Sequence, residues 1–162
     1  MSDTSALVSR RRFCAGACQL ASCATLATFA SACGDGSSPT SPSGNASMLP
    51  VLAGRFTTGS SVVQVTAAGT ALGDVGGAAL VESVAGVFLV ARTGAGTFQV
   101  IDAVCTHEGC TITGVDGATY VCPCHGSRYN RSGQVQAGPA RANLRQYATT
   151  FAESSGVVTI AL

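Results

Sequence analysis

The stretch from Cys105 to Tyr129, C-T-H-E-G-C-T-I-T-G-V-D-G-A-T-Y-V-C-P-C-H-G-S-R-Y, constrains this chain more than any other part of it. It holds both histidines of the protein, His107 and His125, and half of its eight cysteines, namely Cys105, Cys110, Cys122 and Cys124. The rest of the chain is rich in Ala, Gly and Val and offers little chemistry. Packing does not gather the two best soft-metal ligand types into one short window, so the window reads as a metal site.

Spacing narrows the kind of site. Cys105 and His107 form a C-x-H pair, Cys122 and His125 form a C-x-x-H pair, and fourteen residues separate His107 from Cys122. Two short loops, each offering one thiolate and one imidazole, can wrap one compact inorganic centre. A set of two cysteines and two histidines suits a binuclear iron-sulfur centre in which imidazoles replace thiolates on one iron. The same set also suits a structural zinc ion, which accepts Cys2His2. Zinc leaves Cys110, Cys124, Ser127 and Tyr129 without a role.

C-T-H-E-G-C followed by C-P-C-H-G-S-R-Y resembles the Rieske iron-sulfur proteins, especially the high-potential branch of cytochrome bc-type complexes and their soluble relatives. The resemblance runs from about Ala103 to Leu144 and takes in Gly138-Pro139-Ala140, which is similar to the family's proline loop over the cluster. It implies one [2Fe-2S] cluster, with Cys105 and Cys122 on one iron and His107 and His125 on the other. It implies a disulfide between Cys110 and Cys124, which ties the two loops at a chain-entropy gain of roughly 3 kcal/mol. Gly126, Ser127, Tyr129 and Pro139 then surround the cluster, and the hydroxyls of Ser127 and Tyr129 occupy the family's positions for hydrogen bonds to a bridging sulfide and a cysteine sulfur. Imidazole ligation lowers the negative charge at the cluster, so such centres span about −150 to +300 mV. Hydroxyl donors favour the more negative reduced form and place this chain at the high end.

Two positions depart from the quinol-oxidising branch. Glu108 stands where that branch has an apolar residue, often leucine, and a carboxylate there is costly to bury against a hydrophobic pocket. Arg141 stands where the branch has a second proline. Both favour a soluble or tethered electron carrier, with the iron-sulfur subunit of a quinol:cytochrome c reductase as the alternative. The expected partners are a cytochrome or an oxidoreductase subunit, with quinol as a further donor.

Upstream of the domain, residues 1–33 read as an address. Ser9-Arg10-Arg11-Arg12-Phe13 resembles a twin-arginine export signal, and a weakly apolar run from Phe13 to Ala32 ends in Ala30-Ser31-Ala32, a small-residue cleavage signature. Export of a folded, cluster-loaded protein to the periplasm or the outer membrane face suits both the metal site and a disulfide. Cys33 is a candidate for lipidation, which would make a membrane tether, and a retained anchor is the third reading. Residues 34–49 read as a Gly/Ser/Pro linker, and residues 50–162 as the cluster domain.

The body of that domain carries a β signature. Short apolar stretches separated by glycine predict strands near Val62–Thr66, Ala79–Ser83, Val87–Arg92, Phe98–Ala103, Thr119–Cys122, Gln146–Ala152 and Val157–Leu162. The expected fold is therefore all-β, a Rieske-like antiparallel sandwich or barrel with a small cluster-binding subdomain built from two loops. From Gly34 onward six arginines meet seven acids and lysine is absent, so no basic stripe offers itself to nucleic acid. Both histidines are committed to the cluster, which leaves none for the separate two-His, one-carboxylate iron of an oxygenase.

Overall fold

The computed structural model describes residues 46–162, and residues 1–45, with the export signal, Cys33 and most of the linker, lie outside the described residues. Among the described residues there are fourteen strands and no helix, so none is long and apolar enough to cross a membrane. The chain enters the fold inside the segment read as linker. Strand β1 is Ser47–Met48, followed by β2 Val51–Ala53, β3 Arg55–Thr57, β4 Val62–Thr66, β5 Ala78–Ser83, β6 Gly86–Arg92 and β7 Phe98–Asp102. Then come β8 Gly114–Asp116, β9 Thr119–Val121, β10 Arg128–Tyr129, β11 Val135–Ala137, β12 Gln146–Tyr147, β13 Thr149–Ala152 and β14 Val157–Ala161.

These strands make three sheets, ordered β12-β7-β6-β5-β2, β13-β14-β4-β3 and β1-β8-β9-β10-β11. All pairs are antiparallel except β2 with β5, which is parallel, so the antiparallel expectation holds with one edge exception. The stretch expected as one strand from Gln146 to Ala152 divides at Ala148. Its first part pairs with β7 and its second with β14, so the chain crosses there from one sheet to another.

The first sheet carries the domain because both of its faces are covered. Successive side chains of a strand point to opposite faces, and here each face meets a separate core. Leu80, Leu89 and Ile101, which are register partners across β5, β6 and β7, pack into a core with Ala103, Ile112, Tyr120, Tyr129 and Leu144. Their neighbours Ala79, Val81, Phe88, Val90 and Val100 pack on the other side against Val63, Val65, Val158 and Ile160 of the second sheet. A sheet buried on both faces needs continuous apolar strands, and Ala79-Leu80-Val81 and Phe88-Leu89-Val90-Ala91 are such runs. By contrast β4 and β14, each with one free face, alternate in burial.

The third sheet, which holds the strands of the Cys105–Tyr129 window, is seated on the Leu80–Leu89–Ile101 stripe. Leu89→Ala is expected to cost about 2–5 kcal/mol by opening a cavity beneath it, whereas Val84→Ala, at a side chain 93% exposed, stays within about 0.5 kcal/mol of the parent. Urea unfolding of the two variants reads the difference.

Candidate metal centre

The two loops that carry the candidate ligands are built on one backbone frame. In the first, the N–H of Cys105 donates to the carbonyl of Cys110 at 2.9 Å and the N–H of Gly109 donates to the carbonyl of Cys105 at 2.9 Å. In the second, the N–H of Cys122 donates to the carbonyl of Ser127 at 2.8 Å and the N–H of Gly126 to the carbonyl of Cys122 at 3.1 Å. Each loop is thus closed by the same i to i+4 and i to i+5 bonds. Its glycine sits at the closing turn with φ of 76° in Gly109 and 70° in Gly126, a left-handed conformation that glycine adopts without penalty. The shared pattern C-x-x-x-G is visible in the sequence once both loops are aligned, and Gly109 is a residue that the sequence reading passed over.

These frames set the four candidate ligands in two pairs. Cys105 and Cys122 are free thiols, 2% and 1% exposed. His107 and His125 lie nearer the surface with their Nδ1 atoms 3.2 Å apart. Two nitrogens held about 2.0–2.1 Å from one tetrahedral ion, as in zinc sites, stand about 3.3–3.4 Å apart, so this pair fits a common metal. The sulfurs do not join it. Among the described residues, donors within 4.8 Å of one another gather as His107, Glu108 and His125, and separately as Cys110, Cys122 and Cys124. A single tetrahedral ion needs all four ligands in one group. Cys105 belongs to neither group, and its thiol lies within hydrogen-bonding reach of the Cys122 thiol instead. A thiol pair set apart from an imidazole pair is what a binuclear cluster, with thiolates on one iron and imidazoles on the other, requires.

Cys110 and Cys124 are joined by a disulfide, S–S 2.06 Å, one cysteine from each loop. Around the thiols the structure places donors. Ser127, Arg128 and Tyr129 alternate as strand residues do, so Ser127 and Tyr129 turn inward, both fully buried, while Arg128 turns outward to an ion pair with Asp116. The Tyr129 hydroxyl lies 3.3 Å from Cys105 Sγ. Burial pushes the Cys105 thiol up, but hydrogen bonds from Tyr129, the His107 backbone N–H, Cys122 and Ser127 outweigh it and hold the thiol below its ordinary value. Cys122 goes the other way. Burial raises it, and the neighbouring Cys105 adds to the rise. Tyr129 is itself raised by burial and by its bond to Cys105, which keeps its hydroxyl protonated as a donor.

A lid crosses the site. Ala140 donates its N–H to Ser127 Oγ at 3.2 Å, and Thr106 Oγ1 donates to the carbonyl of Ala142 at 2.6 Å, so each ligand loop holds one end of Gly138–Ala142. Pro139 and Arg141 are exposed on this lid and Ala140 is buried under it. Thr106 and Ala142 are further residues that the sequence reading did not single out. No motif marks them, because the bond reaches across 36 positions to a backbone atom. At the rim, the Glu108 carboxylate lies 3.8 Å from His107 Nε2 and 3.7 Å from His125 Nδ1, with its side chain 61% exposed.

A family model for the Rieske [2Fe-2S] domain matches residues 59–148. Among similar curated proteins is the cytochrome b6-f complex iron-sulfur subunit of Chlorobaculum thiosulfatiphilum, 38% identical over 65 residues that make up 40% of this chain and 36% of that one. The subunit of the same name from Prochlorococcus marinus (strain MIT 9211) is 51% identical over 45 residues, 27% of this chain and 25% of that one. The chain spans well under half the length of these relatives. Among solved structures, it is similar to the cyanobacterial plasma membrane Rieske protein of Synechocystis PCC 6803, with 27% identity and a TM-score of 0.46, covering 52% of this chain and 86% of that one.

Gly138 tests the lid. Its φ is 89°, and a Cβ there would sit 2.6 Å from the Cα of Ser127, a backbone atom that cannot yield cheaply. Gly138→Ala is expected to cost about 2–4 kcal/mol from backbone strain and overpacking together, which differential scanning calorimetry would record as a melting point lower by roughly 8 °C or more.

Proposed function

The chain belongs to the Rieske [2Fe-2S] domain family and carries one [2Fe-2S] cluster, and we propose that Cys105 and Cys122 hold one iron, that His107 and His125 hold the other, and that the protein passes single electrons between redox partners. The observation that carries this reading is that the buried free thiols of Cys105 and Cys122 lie within hydrogen-bonding reach of one another, while His107 and His125 form a separate, partly exposed imidazole pair. When bound, the cluster supplies one-electron chemistry.

The chain's own residues set the terms of that chemistry. Tyr129 and Ser127 stabilise negative charge on Cys105, which favours the electron-rich state and raises the potential. The disulfide and the lid hold the ligand loops together and keep water from the sulfurs. His107 and His125, 26% and 48% exposed, are the ligands that a partner can approach.

An exported protein fits these features. Residues 1–33 act as a twin-arginine-type signal, residues 34–49 as a tether and residues 50–162 as the cluster domain, with Cys33 the point of lipid attachment if the protein is membrane-anchored. The setting is the periplasm or the outer face of the cytoplasmic membrane. The partner is a cytochrome or an oxidoreductase subunit, and the likeness to subunits named for the cytochrome b6-f complex supports a membrane cytochrome complex as one such partner. Glu108 favours a carrier over a quinol-docking subunit, because its carboxylate stands in water between the two imidazoles and would have to be desolvated in an apolar pocket.

Low-temperature EPR of the ascorbate-reduced protein, expressed from Gly34, with metal analysis on the same sample, tests the reading. A rhombic signal with average g well below that of all-cysteine clusters and two irons per chain are expected. A colourless, EPR-silent protein holding zinc would replace the electron carrier with a structural zinc domain. On the loaded protein, voltammetry of Ser127→Ala with Tyr129→Phe is expected to show a lower potential. A hydrogen bond that favours the reduced over the oxidised state by about 1.4 kcal/mol moves a one-electron couple by about 59 mV, and an unchanged potential would remove the role assigned to these hydroxyls.

A further inference from the structure

Resting on the cluster reading above, a second feature of the site concerns where the Tyr129 proton goes. A phenol has one proton to donate. The Tyr129 oxygen accepts the backbone N–H of Thr106 at 3.2 Å and has two acceptors within its own reach, Cys105 Sγ at 3.3 Å and Thr106 Oγ1 at 3.0 Å. The contact with Thr106 could in principle run in either direction. It does not, because the Thr106 hydroxyl already gives its proton to the carbonyl of Ala142 at 2.6 Å. Thr106 Oγ1 is therefore left as an acceptor facing Tyr129, and it competes with the sulfur for one proton.

We propose that Thr106 is a positioning residue that tunes the reduction potential by drawing part of the Tyr129 hydrogen bond away from Cys105. The competition has a definite sign. Reduction adds negative charge to the sulfur and pulls the proton toward it, so the Tyr129–Cys105 bond favours the reduced state. An alternative acceptor stabilises both redox states through Tyr129 and so dilutes the difference between them. Removing that acceptor leaves Cys105 as the sole target and raises the potential. The lid enters the same account, since it is the Ala142 carbonyl that fixes the Thr106 hydroxyl in its accepting orientation.

The test is a double-mutant cycle read by voltammetry on cluster-loaded protein, with Thr106→Val, Thr106→Ser, Tyr129→Phe and the Thr106→Val/Tyr129→Phe pair. Thr106→Val keeps the branched shape and loses the oxygen, and its potential is expected above the parent. That rise is expected to vanish in the Tyr129→Phe background, where there is no proton to redirect, and Thr106→Ser is expected to match the parent. A Thr106→Val potential equal to or below the parent, or a rise that persists without Tyr129, overturns the proposal, since a loosened lid alone would act in both backgrounds. If the valine variant does not hold a cluster, deuterium ENDOR of the reduced parent in D2O, compared with Tyr129→Phe, reads the same division. A fractional deuteron at the sulfur is expected, and a full one overturns the proposal. Absence of the rhombic EPR signal from the parent itself overturns the cluster reading and this one with it, a failure distinct from an intact signal with additive potentials.

Discussion

A buried thiolate is the constraint on which the rest of this structure depends. An anion taken out of water is tolerable only where fixed dipoles replace the lost hydration. Cys105 and Cys122 are almost fully buried, yet both must be deprotonated to bind a metal. The structure answers by converging donors on Cys105 from a strand hydroxyl, a loop N–H and a turn hydroxyl. Much of the local architecture exists to deliver them. The left-handed glycines close each loop, and the pleat of Ser127-Arg128-Tyr129 turns two hydroxyls toward the Cys105 sulfur and the one charge away from it.

Donors aimed to within a few tenths of an ångström need a rigid support, and the doubly covered sheet supplies it. Leu80, Leu89 and Ile101 present one apolar stripe to the subdomain, while the alternate residues of the same strands are locked by the opposite core. Tilting the subdomain would therefore disturb both cores. The outer braces act on the subdomain's own strands. Arg128 pairs with Asp116 across β10 and β8, and Arg131 lies over the Tyr120 ring at 4.9 Å while donating to the carbonyl of Gly117 at 3.0 Å.

The sequence made the ligand window legible because cysteine and histidine are rare and their spacing is dictated by short-range loop geometry. The long central strands were legible for a related reason. A run such as Phe88-Leu89-Val90-Ala91 has no place but the inside. What escaped were elements defined by pairing alone. Ser47–Met48, Arg55–Thr57 and Val135–Ala137 are short, largely exposed strands whose existence rests on a partner's backbone, and β2 adds a parallel edge that no local pattern announces. Ala148 was read through because its neighbours on both sides are β-formers, and only the two available sheet edges decide that the chain must change sheets there. Thr106 was missed for the same reason, since its partner is a carbonyl, and carbonyls are present at every position.

The two loops share a backbone frame but not a cysteine-to-histidine spacing, and this difference decides how the two rings meet the surface. Histidine is the second residue after Cys105 and the third after Cys122, so the two rings leave equivalent frames in different directions. They arrive with centroids 4.8 Å apart and planes at 87°. Rings set edge to face cannot both lie flat at the surface, and the His125 side chain is accordingly nearly twice as exposed as that of His107. Among the described residues, the thiols of Cys105 and Cys122 are buried while the imidazole rim is partly exposed. The Glu108 carboxylate stands on that rim beside both rings, so any approach to the imidazoles must also satisfy a solvated negative charge. A hydrophobic socket cannot do this without leaving the charge unpaired, whereas a surface that brings a cation or keeps water at its edge can.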